Sequence, residues 1–250
     1  MGKYFFAAQN CTSGTVDDMA VLFHNILCGV CLCGAIFPEV REVCQRGRGR
    51  LLENKLGILN AAELARTEEQ LSKKCALEMF ETGFLDSLQP GTFASLSVIH
   101  RYLFGDIYAF AGEMRTVNIA KGNFRFAPVM YLREAVSSIE RMPQSDFEQI
   151  VEKYVEMNVA HPFREGNGRS MRIWLDVILK AEIGRVVDWS RVDKEEYLLA
   201  MERSPVRDIE IKHLLQNALT DKIDDRAVYM KGIDYSYYYE GYAEYRTEDL

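Results

Sequence analysis

The chain has 250 residues, of which 48% are hydrophobic, 27% are charged and 11% are aromatic. This length and composition suit one globular domain, or one domain with an appendage. The formal net charge is −7, which argues against direct binding of nucleic acid, because a duplex-binding surface needs a basic face. An acidic chain can still hold phosphate groups, since a few local cationic side chains and backbone N–H groups suffice.

The cysteines are concentrated near the N-terminus, where five of the six are found: Cys11, Cys28, Cys31, Cys33 and Cys44. A disulfide framework would distribute its pairs through the folded body, so we expect a reduced, cytoplasmic protein. The Cys28-x-x-Cys31-x-Cys33 cluster has a spacing that metal ligands use. No second cluster supplies the remaining ligands, and we therefore favour ordinary cysteines there.

Residues 1–50 are interpreted as an extension outside the functional domain, and a start codon set too far upstream is one explanation of it. Residues 20–37 carry no charge, but His24, Asn25 and two glycines interrupt this stretch, which is marginal for a membrane span. Asp17 and Asp18 directly before it make a poor signal-peptide start. We therefore expect no association with a membrane.

Beyond residue 50, the spacing of apolar residues predicts a mostly α fold, a compact helical bundle with one short β-hairpin. The hairpin is expected between 117 and 126, where apolar residues alternate around the turn Lys121-Gly-Asn123. The predicted helices cover 63–80, 92–108, 131–141, 145–160, 167 or 169 to 183, 194–203, 208–219 and 236–245. Ser145-Asp-Phe-Glu148 predicts a capping box at the start of the fourth helix, and Gly184 is expected to end the fifth.

A loop that leads into a helix carries the candidate chemistry. Residues 161–172 read His-Pro-Phe-Arg-Glu-Gly-Asn-Gly-Arg-Ser-Met-Arg. Gly166 and Gly168 allow a close backbone approach and point successive N–H groups at a ligand. The helix that follows adds the positive end of its dipole, so the geometry suits a phosphate. Arg169 and Arg172 share a helix face, where their guanidinium groups can hold further phosphate oxygens.

Two further residues complete this constellation. Glu165 is the single carboxylate of the loop and is interpreted as a Mg²⁺ ligand, because a carboxylate would be an unusual contact for phosphate. His161 ends the preceding helix, where a neutral imidazole can accept a hydroxyl proton near pH 7. Each feature alone has an ordinary explanation, such as a helix-end histidine or a solvated arginine pair, and it is their combination that indicates a functional site.

In this order the residues match the pattern His-x-Phe-x-[Asp/Glu]-Gly-Asn-Gly-Arg-x-x-Arg at every fixed position, and the chain resembles the Fic family. Residues 99–108 and 111–115 are similar to the family's segment before its hairpin. The likeness extends from residue 51 to the C-terminus and does not reach 1–50. Phe163 is expected to anchor the loop in the core.

The resemblance implies a protein adenylyltransferase, an enzyme that moves AMP from ATP onto a Ser, Thr or Tyr hydroxyl of a target protein. His161 would deprotonate that hydroxyl, Glu165 would hold Mg²⁺ against the α- and β-phosphates, and Arg172 would position the γ-phosphate. The other implied ATP contacts are Lys121, Asn158, Gly166, Asn167, Gly168 and Arg169. Gly168 stands where Doc-like kinases have a lysine, which favours AMP transfer over phosphorylation.

The hairpin segment is similar to the family's flap, which lies beside the active site and docks the target protein in extended form. Its residues are Gly122, Asn123, Phe124, Arg125 and Phe126. Bacterial relatives modify DNA topoisomerases, so topoisomerase subunits are one candidate target. The flap recognises its target largely through backbone pairing, and the sequence does not reveal which protein is modified.

A C-terminal segment resembles the family's inhibitory motif, [Ser/Thr]-x-x-x-Glu-[Gly/Asn]; it reads Ser236-Tyr-Tyr-Tyr-Glu-Gly241. In the family the glutamate, here Glu240, pairs with the second motif arginine, here Arg172, and keeps the γ-phosphate from its productive position. A C-terminal inhibitory helix indicates the stand-alone class (class III), which implies a homo-oligomer and auto-AMPylation. The candidate acceptors are Tyr237, Tyr238, Tyr239 and Tyr242.

We therefore divide the chain into an extension at 1–50, a Fic domain at 51–230, and an inhibitory helix and tail at 231–250. Three alternatives to AMP transfer stay open: removal of AMP by the same site (a de-AMPylase), transfer of another group such as UMP or phosphocholine, and a catalytically silent helical interaction module. A zinc enzyme is disfavoured, because the four histidines are scattered.

Overall fold

The structure, a computed structural model, describes residues 51–121 and 124–240. These ranges contain eight α-helices: α1 Ala61–Glu81, α2 Phe93–Phe104, α3 Val129–Glu140, α4 Phe147–Ala160, α5 Asn167–Ile183, α6 Lys194–Arg203, α7 Ile209–Ala218 and α8 Arg226–Glu240. Short 3₁₀ turns lie at Phe84–Ser87 and Trp189–Arg191. The predicted fold class, mostly α, is confirmed. None of the helices in the described ranges is long and apolar enough to cross a membrane.

Two antiparallel strand pairs accompany the helices. β1 Ala120–Lys121 pairs with β2 Phe124–Arg125, which confirms the predicted hairpin. Its turn residues, Gly122 and Asn123, lie outside the described residues. β3 Val186–Val187 pairs with β4 Leu219–Thr220. The sequence did not predict this second pair, because strands of two residues are too short to show an alternating pattern.

Helix α5 lies at the centre of the hydrophobic core. It packs against α2, α4 and α8, and its fully buried side chains are Met171, Trp174, Leu175, Ile178 and Leu179. Trp174 donates its indole N–H to the carbonyl of Thr92 at 3.0 Å, which satisfies the polar atom of a buried ring. Gly184 ends the helix in the left-handed conformation, with φ of 63°, as the sequence predicted.

The start of α4 differs by one residue from the predicted capping box. Asp146 is the N-cap, and its carboxylate accepts a hydrogen bond from the N–H of Gln149. Oε1 of Gln149 in turn accepts from the N–H of Ser145 at 3.0 Å. The assignment to Ser145 and Glu148 was wrong, because the adjacent aspartate is as good an N-cap as serine and occupies that position.

Helix α8 begins at Arg226, whereas the sequence predicted a start at Ser236. Its buried side chains are Val228, Met230, Ile233 and Tyr237, and the helix packs against α1, α5 and the Trp189–Arg191 turn. The prediction was wrong because Gly232 lowers the intrinsic helix propensity of this stretch, while burial against three neighbours outweighs that cost.

Two contacts fix α8 against the rest of the core. Lys73 of α1 pairs with Asp234 of α8 at 2.9 Å. A Cβ atom added at Gly232 would lie 2.8 Å from Cδ1 of Trp189, whose indole is buried. Glycine at position 232 therefore permits the close approach between α8 and this indole.

We predict that Gly232→Val lowers the free energy of unfolding by about 1–3 kcal/mol, because the added methyl groups overpack a contact with a buried ring. The matched control is Ala227→Val, an exposed position on the same helix. Denaturant unfolding of both variants measures the difference. Equal stability of the two variants would show that Trp189 accommodates the larger side chain.

Candidate active site

His161 occupies an unusual backbone conformation at the end of α4. It is the C-cap, with φ of 47° and ψ of 64°, and it is the one non-glycine residue with positive φ in the part of the chain that the structure describes. Such a left-handed non-glycine residue costs on the order of 1 kcal/mol or more and persists only where its surroundings enforce it. The turn separates the imidazole from the helix that precedes it.

Arg115 holds this turn in place through hydrogen bonds to its backbone carbonyls. Its Nε donates to the carbonyl of His161 at 2.8 Å, and Nη2 donates to the carbonyl of Ala160 at 3.1 Å. Further hydrogen bonds reach the carbonyls of Val117 and Ala127. The side chain is buried, and this burial lowers the pKa of the guanidinium from its usual range. Sequence reasoning gave Arg115 no role in the site, because its partners lie up to 46 residues away.

The partners of the imidazole define its tautomer. Nδ1 of His161 lies 3.2 Å from the carbonyl oxygen of Asn158. A carbonyl can only accept, so Nδ1 carries a proton, and in the neutral imidazole the lone pair is then on Nε2. The ring stacks on Phe126, with centroids 3.6 Å apart. A histidine in this tautomer has the nitrogen that a general base needs.

Hydrogen bonds within the loop after His161 hold its conformation. The amide of Asn167 accepts from the N–H of Phe163 and donates to its carbonyl, each at 2.8 Å. Phe163 is fully buried, as predicted, and stacks on His100. Gly166 has φ of 74°, and a Cβ there would lie 2.5 Å from a ring carbon of Phe104. Only glycine therefore fits at position 166.

The N-terminus of α5 has the geometry of an anion site. Gly166 is the N-cap, and the N–H of Ser170 makes a helical hydrogen bond to its carbonyl at 3.1 Å. The N–H groups of Asn167 and Gly168 come before that bond, at the positions of a helix where no carbonyl of the same helix can accept from them. Together with the helix dipole they favour a phosphate group at this point.

His100 supports the loop from α2. Its Nδ1 accepts from the N–H of Gly112 at 2.9 Å, so Nε2 carries the proton and donates to the carbonyl of Glu165 at 2.8 Å. Burial lowers the pKa of His100 to about 4; the hydrogen bond to Glu165 opposes this shift, and the charge of Arg169 adds to it. His100 is therefore neutral at pH 7, and its tautomer is fixed by two backbone partners.

Glu165 presents one carboxylate at the mouth of the site. The side chain is 45% exposed, and Oε1 accepts from the N–H of Gly166 at 3.1 Å and from Nη2 of Arg169 at 3.2 Å. Among the described residues, no group of three or more His, Cys, Asp or Glu side chains could hold a metal ion. One carboxylate fits Mg²⁺, which proteins hold through one or two carboxylates together with substrate phosphates.

The two motif arginines are buried, which excludes the alternative of a solvated pair. Arg169 pairs with Glu68 of α1 through Nη1 and lies over the rings of Phe104 and Tyr237. Arg172 donates from Nε to the hydroxyl of Ser236 at 2.8 Å and from Nη2 to the Ser236 carbonyl at 3.3 Å. Helix α8 therefore contacts both arginines.

Tyr237 does not have the exposure that a modified residue needs. The side chain is 2% exposed, and its hydroxyl makes a hydrogen bond with Ser72 of α1. In this conformation the core excludes a second active site from its hydroxyl, and Tyr237 as an acceptor stays a prediction. It could accept a group only after α8 leaves its position.

The structure brings nine of the predicted site residues into one region: Asn158, His161, Glu165, Gly166, Asn167, Gly168, Arg169, Arg172 and Ser236. Phe126 joins them through its contact with His161. Phe124 and Arg125 form β2. Other predicted site features lie outside what the structure describes: Gly122, Asn123 and Tyr242, and the side chains of Lys121, Tyr238, Tyr239 and Glu240.

These features define a mostly helical protein in which a short loop joins a histidine to a helix N-terminus that suits a phosphate. Residues 91–179 match the Fic/DOC family. The chain belongs to the Fic/DOC family, because it is also 30% identical over 166 residues to a relative of which it covers 83%. That relative, from Sinorhizobium fredii, is named "Probable protein adenylyltransferase y4lH", and the match covers 62% of this chain.

Other comparisons agree with this membership. "Protein adenylyltransferase VbhT" from Bartonella schoenbuchensis is 33% identical over 159 residues, which are 58% of this chain and 32% of VbhT. The chain thus spans about a third of the length of that relative. The crystal structure of the BepC protein from Bartonella tribocorum with bound AMPPNP has the same fold, with a TM-score of 0.56 and 21% identity, and covers 72% of this chain and 97% of its own.

We predict that His100 makes the stability of the protein depend on pH. In an unfolded chain histidine has a pKa of about 6.5, so the unfolded chain binds a proton at this position between about pH 6.5 and 4, while the folded protein does not. The stability from neutral His100 is present above the unfolded pKa and is lost as the pH falls towards 4.

The measurement is urea unfolding of the parent and of His100→Gln at pH 7 and pH 5. The parent should lose more free energy of unfolding between these pH values than the variant, by about 2 kcal/mol. Other titrating groups contribute equally to both proteins and cancel in the comparison. An equal loss in the two proteins would show that His100 is protonated in the folded state.

Proposed function

We propose that the protein transfers AMP from ATP to a hydroxyl group of a target protein, with Mg²⁺ bound alongside the nucleotide. The observation that carries this proposal is the position of His161 in the loop that leads to the α5 N-terminus, with Nδ1 held by the Asn158 carbonyl, which leaves Nε2 of the neutral ring to act as the base. In this arrangement a base for the target hydroxyl and an anion site for the phosphates can act on the same bound substrates. The names of VbhT and y4lH, which describe protein adenylyltransferases, support the same reaction.

In the proposed reaction, Nε2 of His161 accepts the proton of the target hydroxyl, whose oxygen attacks the α-phosphorus of ATP. A bond forms between that oxygen and the α-phosphorus. The bond from the α-phosphorus to the oxygen that bridges to the β-phosphate breaks, and pyrophosphate leaves. The N–H groups at the start of α5 stabilise the phosphate charge, so catalysis is positioning together with electrostatic stabilisation.

The remaining nucleotide contacts follow the same proposal. When bound, Mg²⁺ neutralises charge on the α- and β-phosphates, and Glu165 is the residue that would hold it. Asn158, Lys121 and the motif arginines are proposed to complete the ATP site. Bound AMPPNP in the BepC protein supports an ATP site in this fold. Phe126, stacked on His161, is proposed to lie where the flap presents the target hydroxyl.

We predict that His161→Ala lowers the rate of AMP incorporation by about 10²–10⁴-fold, because general-base catalysis is lost. Labelled ATP and intact-mass analysis measure transfer to the protein itself or to a target in a lysate. The matched control is His213→Ala, an exposed histidine on α7. Unchanged incorporation by His161→Ala would contradict the role of the imidazole. Release of AMP from a modified protein without ATP would assign hydrolytic removal of AMP instead.

The proposed function includes autoinhibition by α8. Ser236 occupies the Nε side of Arg172, which is proposed to hold the γ-phosphate. Glu240 follows Ser236 by four residues and hence lies on the same helix face. A carboxylate at this position would both occupy the guanidinium and repel the γ-phosphate.

We predict that Glu240→Gly raises auto-AMP incorporation by at least about fivefold, the lower end of ordinary coupling between two sites. Intact-mass analysis after incubation with Mg-ATP measures it. The double variant His161→Ala/Glu240→Gly is the control and should show no gain, because the increase must come from the same catalytic site. Equal labelling of the parent and Glu240→Gly would reject the inhibitory role of Glu240.

A further inference from the structure

Glu68 of α1 lies 101 residues before Arg169 in the chain, yet its carboxylate reaches that motif arginine. Oε1 pairs with Nη1 of Arg169, and Oε2 accepts a hydrogen bond from the hydroxyl of Tyr108. Glu68 is 6% exposed and Arg169 is 3% exposed. The pair is therefore shielded from solvent, where an attraction between charges is stronger than at a surface.

The charges around Arg169 are unequal. Glu68 and Glu165 both contact its guanidinium, one through Nη1 and the other through Nη2. Tyr108 stays neutral, because burial, and then the negative charge of Glu68, raise the pKa of its hydroxyl. Glu165 is the more exposed of the two carboxylates, so its oxygens are the ones that a cation at the mouth of the site can reach.

We propose that Glu68 is a positioning residue for the nucleotide site: it matches the charge of Arg169 and holds its guanidinium, so that Glu165 remains oriented and charged toward Mg²⁺. This inference rests on the proposed function. Glu68 acts through Arg169 and touches neither the nucleotide nor the metal ion in this arrangement.

Glu68 keeps Arg169 from pairing more closely with Glu165. A guanidinium forms its strongest pairs with a carboxylate in a two-pronged geometry. Glu165 already accepts from Nη2, and in the absence of Glu68 the side chain of Arg169 turns further onto it. That pairing neutralises Glu165 and draws its oxygens away from the site. Residues that orient a metal ligand in this way typically change metal affinity by about 10–100-fold when they are replaced.

The matched control is the neighbouring residue. Glu69 is also a buried carboxylate of α1, and it pairs with Lys73 at 2.6 Å. Glu69→Gln removes one buried charge from the same helix without removing a partner of Arg169. Glu68→Gln removes the charge of Glu68 and keeps its shape, and Glu68→Asp keeps the charge and serves as the conservative variant.

The experiment uses the full chain and two readouts. Calorimetry measures the affinity for ATP with Mg²⁺ and with a chelator. Amide hydrogen exchange of residues 163–169, without nucleotide, reports how firmly the loop is held. Glu68→Gln should weaken the Mg²⁺-dependent part of ATP binding by about tenfold and accelerate exchange in the loop, Glu68→Asp should recover part of both losses, and Glu69→Gln should change neither.

Equal effects of Glu68→Gln and Glu69→Gln on both readouts would overturn the positioning role, because they would show only the loss of a buried charge. An equal loss of ATP affinity with and without Mg²⁺ would also overturn it. If the parent binds no ATP under either condition, the proposed function fails. Hydrogen exchange still decides then whether Glu68 holds the loop: unchanged exchange in Glu68→Gln rejects the inference.

Discussion

The active-site geometry depends on one backbone constraint, the left-handed turn at His161. The chain must leave α4, present an imidazole and enter α5 within residues 161–166, and it does so by placing both ends of this loop at positive φ. Arg115 ties the first end to the carbonyls of Val117 and Ala127, and Asn167 ties the second end to Phe163. Because one loop joins the proposed base to the proposed anion-binding N–H groups at the start of α5, backbone geometry sets their separation.

Both motif arginines of α5 make hydrogen bonds to elements that are distant in sequence. Arg169 takes its partner from α1, and Arg172 takes its partner from α8. The desolvation cost of burying two guanidinium groups is thereby offset by charge-assisted hydrogen bonds. Helix α8 also reaches α1 through the pair of Lys73 and Asp234. Helix α5 is thus positioned by elements from both ends of the described chain.

The sequence was sufficient for the helices of the core and for the residues of the motif, because apolar spacing and a contiguous pattern are both local signals. It could not reveal Glu68, His100 or Arg115 as parts of the site, since each acts through a partner 46 to 101 residues away and none stands in the motif at 161–172. The start of α8 was missed for a related reason: packing against three neighbours, rather than propensity, makes residues 226–235 helical.

The burial of Trp189 has a consequence for how the protein can be observed. Its indole lies against Gly232 of α8 on one side and within 5.5 Å of the guanidinium of Arg172 on another. The chain has two tryptophans, and the other, Trp174, is fixed inside α5 by its hydrogen bond to Thr92. Trp189 therefore lies where α8 meets Arg172. Because tryptophan fluorescence depends on the polarity around the ring, its emission reports whether α8 lies against Arg172.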